Sequence, residues 1–125
     1  MIWKQLLFIF LGGGLGSITR YSISIALIKY AKHFPWGTFI SNLLASILLA
    51  IFLIIIESKE ITNNALRLFL ITGFCGGFST FSTFSFETFE LLKSGHTVLA
   101  FVNVIASIVL AITALFLIFK TYHQI

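Results

Sequence analysis

Charged residues are scarce in this sequence, and their scarcity indicates the class of protein. Lys, Arg, Asp and Glu make up 10% of the 125 residues, against about 25% in an average soluble domain. The mean hydropathy of +1.07 agrees with this low charge. The sequence therefore predicts a membrane protein. Its net charge of +4 is expected to come from Lys and Arg at the membrane surface, and we expect no nucleic-acid partner.

Cysteine and histidine are also too few, or too scattered, for several kinds of site. The single cysteine, Cys75, excludes an intrachain disulfide and is expected to pack as a small apolar side chain. The three histidines fall in loops or the tail, and no Cys/His spacing typical of a metal site occurs. Since no nucleophile, acid and base come together in the pattern, we do not expect an enzyme.

The sequence has instead four long apolar runs, at about residues 5–28, 36–56, 65–92 and 97–119. A run of about 20 apolar residues is enough to cross a bilayer. The linkers between the runs are short, so residues 1–125 are expected to form a single all-α domain of four transmembrane helices. The first run continues through Arg20 and lacks a small-residue cleavage site, so we interpret it as a retained span and not a signal peptide.

The third run contains the most unusual stretch, TGFCGGFSTFSTFSFE, from Thr72 to Glu87. Its three glycines weaken a helix and let backbones approach closely. Its six Ser and Thr side chains can hydrogen-bond backbone groups that a break would leave unpaired. We therefore predict that the third helix is broken near its middle. Irregular backbone at membrane depth is tolerated only where it is buried in protein or lines a wet path.

Three polar side chains inside the spans are candidate functional residues. Arg20 lies well inside the first span, which holds no acid. It either reaches toward the surface, forms a salt bridge at a helix end, or attracts anions at a pore mouth. Asn42 either joins two helices or donates its N–H groups to a dehydrated anion. Glu87 either lines a vestibule or pairs with a base. The glycines between Gly12 and Ser17 are expected to allow close helix packing.

Phe81 and Phe84 are spaced i, i+3, so they share one helical face. Such aromatic stripes are usually packing surfaces. The alternative is that their ring edges, which carry partial positive charge, attract a small anion. Weak attraction suits conduction, because an ion must also leave.

The expected break also frees carbonyl groups near Gly76 and Ser79. Unpaired carbonyls at the bilayer centre need donors or a cation. Hard cations such as Na⁺ take oxygen ligands, and unwound carbonyls provide them in some transporters.

The basic residues give almost no orientation bias. Four spans place both ends of the chain on one side, with Lys4, Lys59, Arg67 and Lys120, and leave Lys29, Lys32 and Lys93 on the other. Two interpretations follow: the chain inserts both ways and pairs as an antiparallel dimer, or it has one orientation with a weak signal.

Four motifs in chain order, GGGLGSITRY, WGTFISN, GFCGGFSTFSTFSFE and Asn103-x-x-x-Ser107, resemble the Fluc, or CrcB, family of fluoride ion channels. The resemblance covers all four spans. It implies a dual-topology, antiparallel homodimer with two pores that exports F⁻ passively, located in the inner (plasma) membrane of a prokaryote.

The resemblance also implies residue roles. Arg20 and Glu87 correspond to vestibule residues, while Gly76 and Ser79 correspond to positions whose backbone carbonyls bind a structural Na⁺ on the dimer axis. The implied fluoride pore contains Asn42, Phe81, Phe84, Ser82, Thr83, Ser107 and Thr38. Two positions depart from the family pattern: Asn103 stands in place of a tyrosine, which puts the support of the two phenylalanines in question, and Ala111 in place of a frequent glycine.

Two other functions explain the sequence less well than a fluoride channel does. A small four-span multidrug or cation exporter needs a carboxylate in the membrane to exchange protons, and the first span carries Arg20 instead. A membrane protein that only assembles or regulates others would explain the packing glycines, but not Arg20, Asn42 and the Phe/Ser/Thr face together.

Overall fold

The computed structural model describes residues 1–124, and this part of the chain folds into helices joined by short turns. The first two spans are α1 (Ile2–Ala26) and α2 (Trp36–Ser58), with a short 3₁₀ turn, Ile28–Tyr30, after α1. The third span, Asn64–Lys93, consists of α3 (Asn64–Arg67), a π-helical segment (Leu68–Cys75), α4 (Gly76–Phe78) and α5 (Phe81–Lys93). The fourth is α6 (Thr97–His123).

All four spans are long and apolar enough to cross a membrane. The predicted all-α architecture with four membrane-spanning helices is therefore confirmed. The third span is also interrupted near its middle, as the sequence indicated.

The interruption lies at Ser79 and Thr80, whose backbones are extended, with ψ angles of 157° and 124°. Thr80 then caps α5, because its side-chain oxygen accepts a hydrogen bond from the Thr83 amide. Gly76, in contrast, has helical dihedrals (φ −65°, ψ −37°). The glycines of the third span lie in its helical first half, so they are not the point at which the helix breaks.

These glycines instead let the third span approach α1 closely. A Cβ atom added to Gly73 would lie 2.9 Å from the Gly12 Cα atom, and one added to Gly77 would collide with the Gly13 carbonyl oxygen. On the α1 side, a Cβ atom on Gly16 would collide with the Phe74 carbonyl oxygen. Each helix thus presents glycines four residues apart, and the two backbones touch over that length. The expected packing role of the glycines is confirmed.

The second half of the third span is held much less tightly. α5 contains no fully buried residue within the described chain, and Phe81, Phe86 and Phe89 are all exposed. α2, by comparison, buries Gly37, whose added Cβ atom would lie 2.8 Å from the Ser24 hydroxyl of α1. α5 therefore lies at the edge of the subunit, with its aromatic face directed outward.

The glycine contact can be tested with one substitution and a matched control. We expect Gly16→Ala to lower the free energy of unfolding by about 1–3 kcal/mol, because the new methyl group must displace the backbone of the third span. Gly14→Ala, on the same helix but with nothing within 4 Å of its added Cβ atom, should keep or slightly raise stability, because alanine favours a helix more than glycine does. Unfolding of both variants in detergent micelles measures the difference, and equal stabilities would contradict the proposed packing.

Candidate functional site

The break in the third span is held by the side chain of Asn42. Its Oδ1 atom accepts a hydrogen bond from the Thr80 amide at 2.7 Å, and its Nδ2 atom donates to the Thr80 carbonyl at 3.2 Å. The amide of one helix thus replaces the helical partners that the break removes from another. Asn42 therefore joins two helices, while the second N–H of its Nδ2 atom stays available for another acceptor.

We call the two hydrogen bonds between Asn42 and Thr80 the clamp. A cavity of about 360 Å³ opens beside it, and we call this the phenylalanine cavity. Its walls come from α2, the break, α5 and α6. The lining residues are Asn42, Ser46, Ser79, Thr80, Phe81, Phe84, Ser107, Ile108, Ala111 and Ile112. The rings of Phe81 and Phe84 lie side by side, with centroids 5.9 Å apart. The cavity thus unites four of the seven residues assigned to the pore from the sequence.

The other three pore candidates lie around this cavity and not in its wall. Ser82 is exposed, with its hydroxyl 3.4 Å from that of Thr80. Thr83 contributes its amide to the cap of α5. Thr38 donates its hydroxyl to the Glu87 carboxylate at 2.8 Å, which links α2 to α5 one turn beyond the clamp.

Two backbone carbonyls at the break have lost their usual partners. In a continuous helix the Thr80 amide would donate to the Gly76 carbonyl, and the Thr83 amide to that of Ser79. Here the first donates to Asn42 and the second to the Thr80 hydroxyl. A cavity of about 210 Å³, lined in part by Gly76, Ser79 and Ser46, lies next to these carbonyls.

Arg20 lies against the same break from the α1 side. Its Nε atom and the Ser17 hydroxyl each donate to the Gly77 carbonyl at 3.4 Å. Gly77 lies in the last turn before the break, where backbone carbonyls lose their helical partners. The guanidinium group supplies a replacement donor. Arg20 is not among the residues that line the cavity next to Glu87, so the structure does not bring the two vestibule candidates together.

Glu87 borders a second cavity, of about 280 Å³, that opens at the end of the bundle. This cavity is lined by the loop before α2, by α5 and by the turn before α6, and its polar residues include Lys32, His33, Glu90 and His96. One carboxylate oxygen of Glu87 binds Thr38, and the other is buried without a partner within residues 1–124. Both signs of charge therefore border this opening.

Residues 7–119 match the family model described as CrcB-like protein, Camphor Resistance (CrcB). The chain belongs to the CrcB family.

Curated relatives within the family are similar over nearly their whole length. A protein of Phocaeicola vulgatus is 48% identical over 115 residues, which is 91% of this chain and 94% of that protein. Proteins of Pyrococcus abyssi and Pyrococcus horikoshii are 47% and 49% identical over 114 residues, 91% of this chain and 92% of each relative. All three are named fluoride-specific ion channel FluC. With four membrane-spanning helices, these bacterial and archaeal relatives indicate a multi-pass membrane protein of prokaryotic type.

Two residues of this CrcB site were missed in the sequence analysis. Thr80 supplies both the backbone that Asn42 binds and the cap of α5, and a threonine immediately before a helical aromatic stripe is a recognisable capping signal. Thr88 bonds the Phe84 carbonyl at 2.8 Å and accepts a hydrogen bond from Asn103 at 3.0 Å. No pattern in the sequence distinguishes it from other threonines in a helix.

The clamp leads to a stability prediction. We expect Asn42→Ala to lower the free energy of unfolding by about 1–3 kcal/mol, because it leaves the Thr80 amide and carbonyl without partners at membrane depth. Asn64→Ala, at an exposed position of α3, is the matched control. Unfolding in micelles, together with hydrogen exchange of the Thr80 amide, measures the effect. An exchange rate at Thr80 equal to that of the unchanged protein would show that the clamp is not needed.

Proposed function

We propose that this chain forms a fluoride-selective channel through which F⁻ leaves the cytoplasm passively. Membership of the CrcB family and relatives named as fluoride-specific channels support the ion and the transport class. The multidrug or cation exporter is not favoured, since none of these relatives carries such a name and the first span has no carboxylate. The activity is transport and not catalysis, and residues 1–125 act as one domain.

The observation that carries the proposal is the phenylalanine cavity at the helix break. Asn42, Phe81, Phe84 and Ser107 all line it. The ring edges carry partial positive charge and the Asn42 amide keeps an N–H that can donate to an anion, whereas the Ser107 hydroxyl donates to Asn103. None of these groups carries a full charge that would hold the ion. A small anion would exchange water for several weak contacts, which favours both entry and exit.

The remaining pore residues extend this path along the subunit. We assign Thr38, Ser82 and Thr83 to the pore with Asn42, Phe81, Phe84 and Ser107. Glu87 borders the second cavity, at the end of the bundle, and serves the vestibule, while Arg20 contributes positive charge from the α1 side of the break. Location in the inner membrane of a prokaryote agrees with the organisms of the relatives.

The working assembly is proposed to be an antiparallel homodimer of dual topology with two pores. Phe81 has 80% of its surface exposed in the single subunit, which leaves the phenylalanine cavity open on one side. A second copy of the chain would close it. The near-equal number of basic residues on the two sides is consistent with insertion in both orientations.

A structural Na⁺ is proposed to bind the backbone carbonyls of Gly76 and Ser79. The amides that would pair with these carbonyls in a helix are engaged elsewhere, and an all-oxygen donor set suits a hard cation. On the dimer axis, each subunit would supply half of the ligands, and the ion would neutralise the carbonyl dipoles that the break exposes.

Efflux from reconstituted liposomes tests the function directly. We expect a fluoride electrode to record release of F⁻ from vesicles that contain the protein, with chloride release near that of empty vesicles. We expect Phe81→Ile or Phe84→Ile to slow release about tenfold or more, since a rise of about 1.4 kcal/mol in the barrier has that effect.

Phe89→Ile is the control for these substitutions, because Phe89 is an exposed ring of α5 outside the phenylalanine cavity. It should release fluoride at the unchanged rate. Fluoride retention equal to that of empty vesicles would disprove the channel, and normal release by both Phe81→Ile and Phe84→Ile would remove the rings from the path.

Sodium exchange tests the cation and the assembly together. When the purified protein is transferred from Na⁺ to a large organic cation, we expect dimers to dissociate more readily on dilution and fluoride release to fall. The cation is expected to act because it holds carbonyls from two subunits. Light scattering gives the mass and the electrode gives the flux. Identical behaviour of both in the two cations would exclude the sodium site, and a monomeric mass in Na⁺ would exclude the dimer.

A further inference from the structure

Asn103 is the most deeply enclosed polar side chain of α6, with 1% of its surface exposed. Its Nδ2 atom donates to the Thr88 hydroxyl at 3.0 Å, and its Oδ1 atom accepts from the Ser107 hydroxyl at 3.5 Å. Both ends of the amide are therefore satisfied inside the protein, where water cannot replace a lost partner.

Thr88 continues this chain of hydrogen bonds to the backbone of Phe84. Its hydroxyl donates to the Phe84 carbonyl at 2.8 Å while it accepts from Asn103. A threonine that bonds the carbonyl four residues earlier is common in helices. Here the same oxygen also binds a second helix, so it connects the turn that carries Phe84 to α6.

The connection matters because α5 has little else to fix its rotation. No residue of α5 is fully buried within the described chain, so packing inside the subunit contributes little to fixing its rotation. Its side-chain hydrogen bonds to other helices are Thr38 with Glu87 and Asn103 with Thr88 among residues 1–124. The second of these lies one turn from Phe84, whose ring borders the phenylalanine cavity.

We propose that Thr88 and Asn103 are positioning residues, which set the rotation of α5 and so direct the Phe84 ring toward the cavity. At its other end, the same series of hydrogen bonds orients the Ser107 hydroxyl, and Ser107 also lines the cavity. The proposal rests on the proposed fluoride channel and adds the residues that hold its aromatic wall. An asparagine of α6, acting through a threonine of α5, thus supports Phe84.

The test compares two substitutions that differ in one group. Thr88→Val removes the hydroxyl and keeps the shape, while Thr88→Ser keeps the hydroxyl and removes a methyl group. We expect Thr88→Val to slow fluoride release about tenfold, the effect of losing one hydrogen bond at the upper end of the usual range. Thr88→Ser should restore release to within about twofold of the unchanged protein, an estimate based on the hydrogen bond it keeps.

Thr121→Val is the matched control, because the Thr121 hydroxyl makes the same bond, to the Leu117 carbonyl at 2.8 Å, on an exposed face of α6. It should leave fluoride release unchanged. We also expect the double variant, with both Thr88→Val and Asn103→Leu, to release fluoride no more slowly than the slower of the two single variants, because both substitutions break the same hydrogen bond. If Asn103→Leu does not fold, the comparison of Thr88→Val with Thr88→Ser tests the proposal by itself.

Hydrogen exchange separates this proposal from the proposed function. Thr88→Val should accelerate exchange in residues 81–88 and not in α1, whether or not the protein conducts. Normal release by Thr88→Val, failure of Thr88→Ser to restore release, or unchanged exchange in α5 would each overturn the positioning role. A protein whose unchanged form releases no fluoride, but whose α5 loosens in Thr88→Val, would overturn only the channel.

Discussion

The structure depends on the pairing of Asn42 with the broken backbone at Thr80. An unpaired amide or carbonyl in the hydrocarbon region costs several kcal/mol, so a helix interrupted at this depth requires a partner from elsewhere. Asn42 supplies an acceptor and a donor to the same residue. Because the clamp and the phenylalanine cavity share Asn42 and Thr80, the bonds that permit the break also fix where the cavity opens.

The two halves of the third span are held by different forces. The first half touches α1 backbone to backbone through glycines, so its position is set by close packing that tolerates no added atom. The second half, α5, is joined to its neighbours by two side-chain hydrogen bonds among residues 1–124, one from Thr38 and one from Asn103. A tightly packed half thus carries the carbonyls proposed to hold sodium, and a lightly held half carries the phenylalanine rings. Hydrogen bonds, being directional, fix the rotation of α5 where apolar packing does not.

Hydropathy and length were enough to predict four spans, and the mixture of glycine and hydroxyl residues was enough to predict a broken third helix. The position of the break was not predictable from the glycines, because glycine serves both flexibility and close packing, and only the opposing helix shows which. The sequence left two interpretations of Asn42, as a link between helices or as a donor to an anion. The side chain links helices through Thr80 and keeps one N–H that could still donate to an anion. Thr88 was missed because its partner lies on another helix.

The exposure of Phe81 connects the proposed channel to the proposed dimer. With 80% of its surface open, the ring forms one wall of a cavity that the single subunit does not close. Against lipid, an ion at that ring would have donors on one side and hydrocarbon on the other, and desolvating it there is costly. Against a second protein surface, the same ring would become part of an enclosed path. The aromatic wall can therefore serve an anion only in an assembly that covers it. The proposed channel thus depends on the proposed dimer.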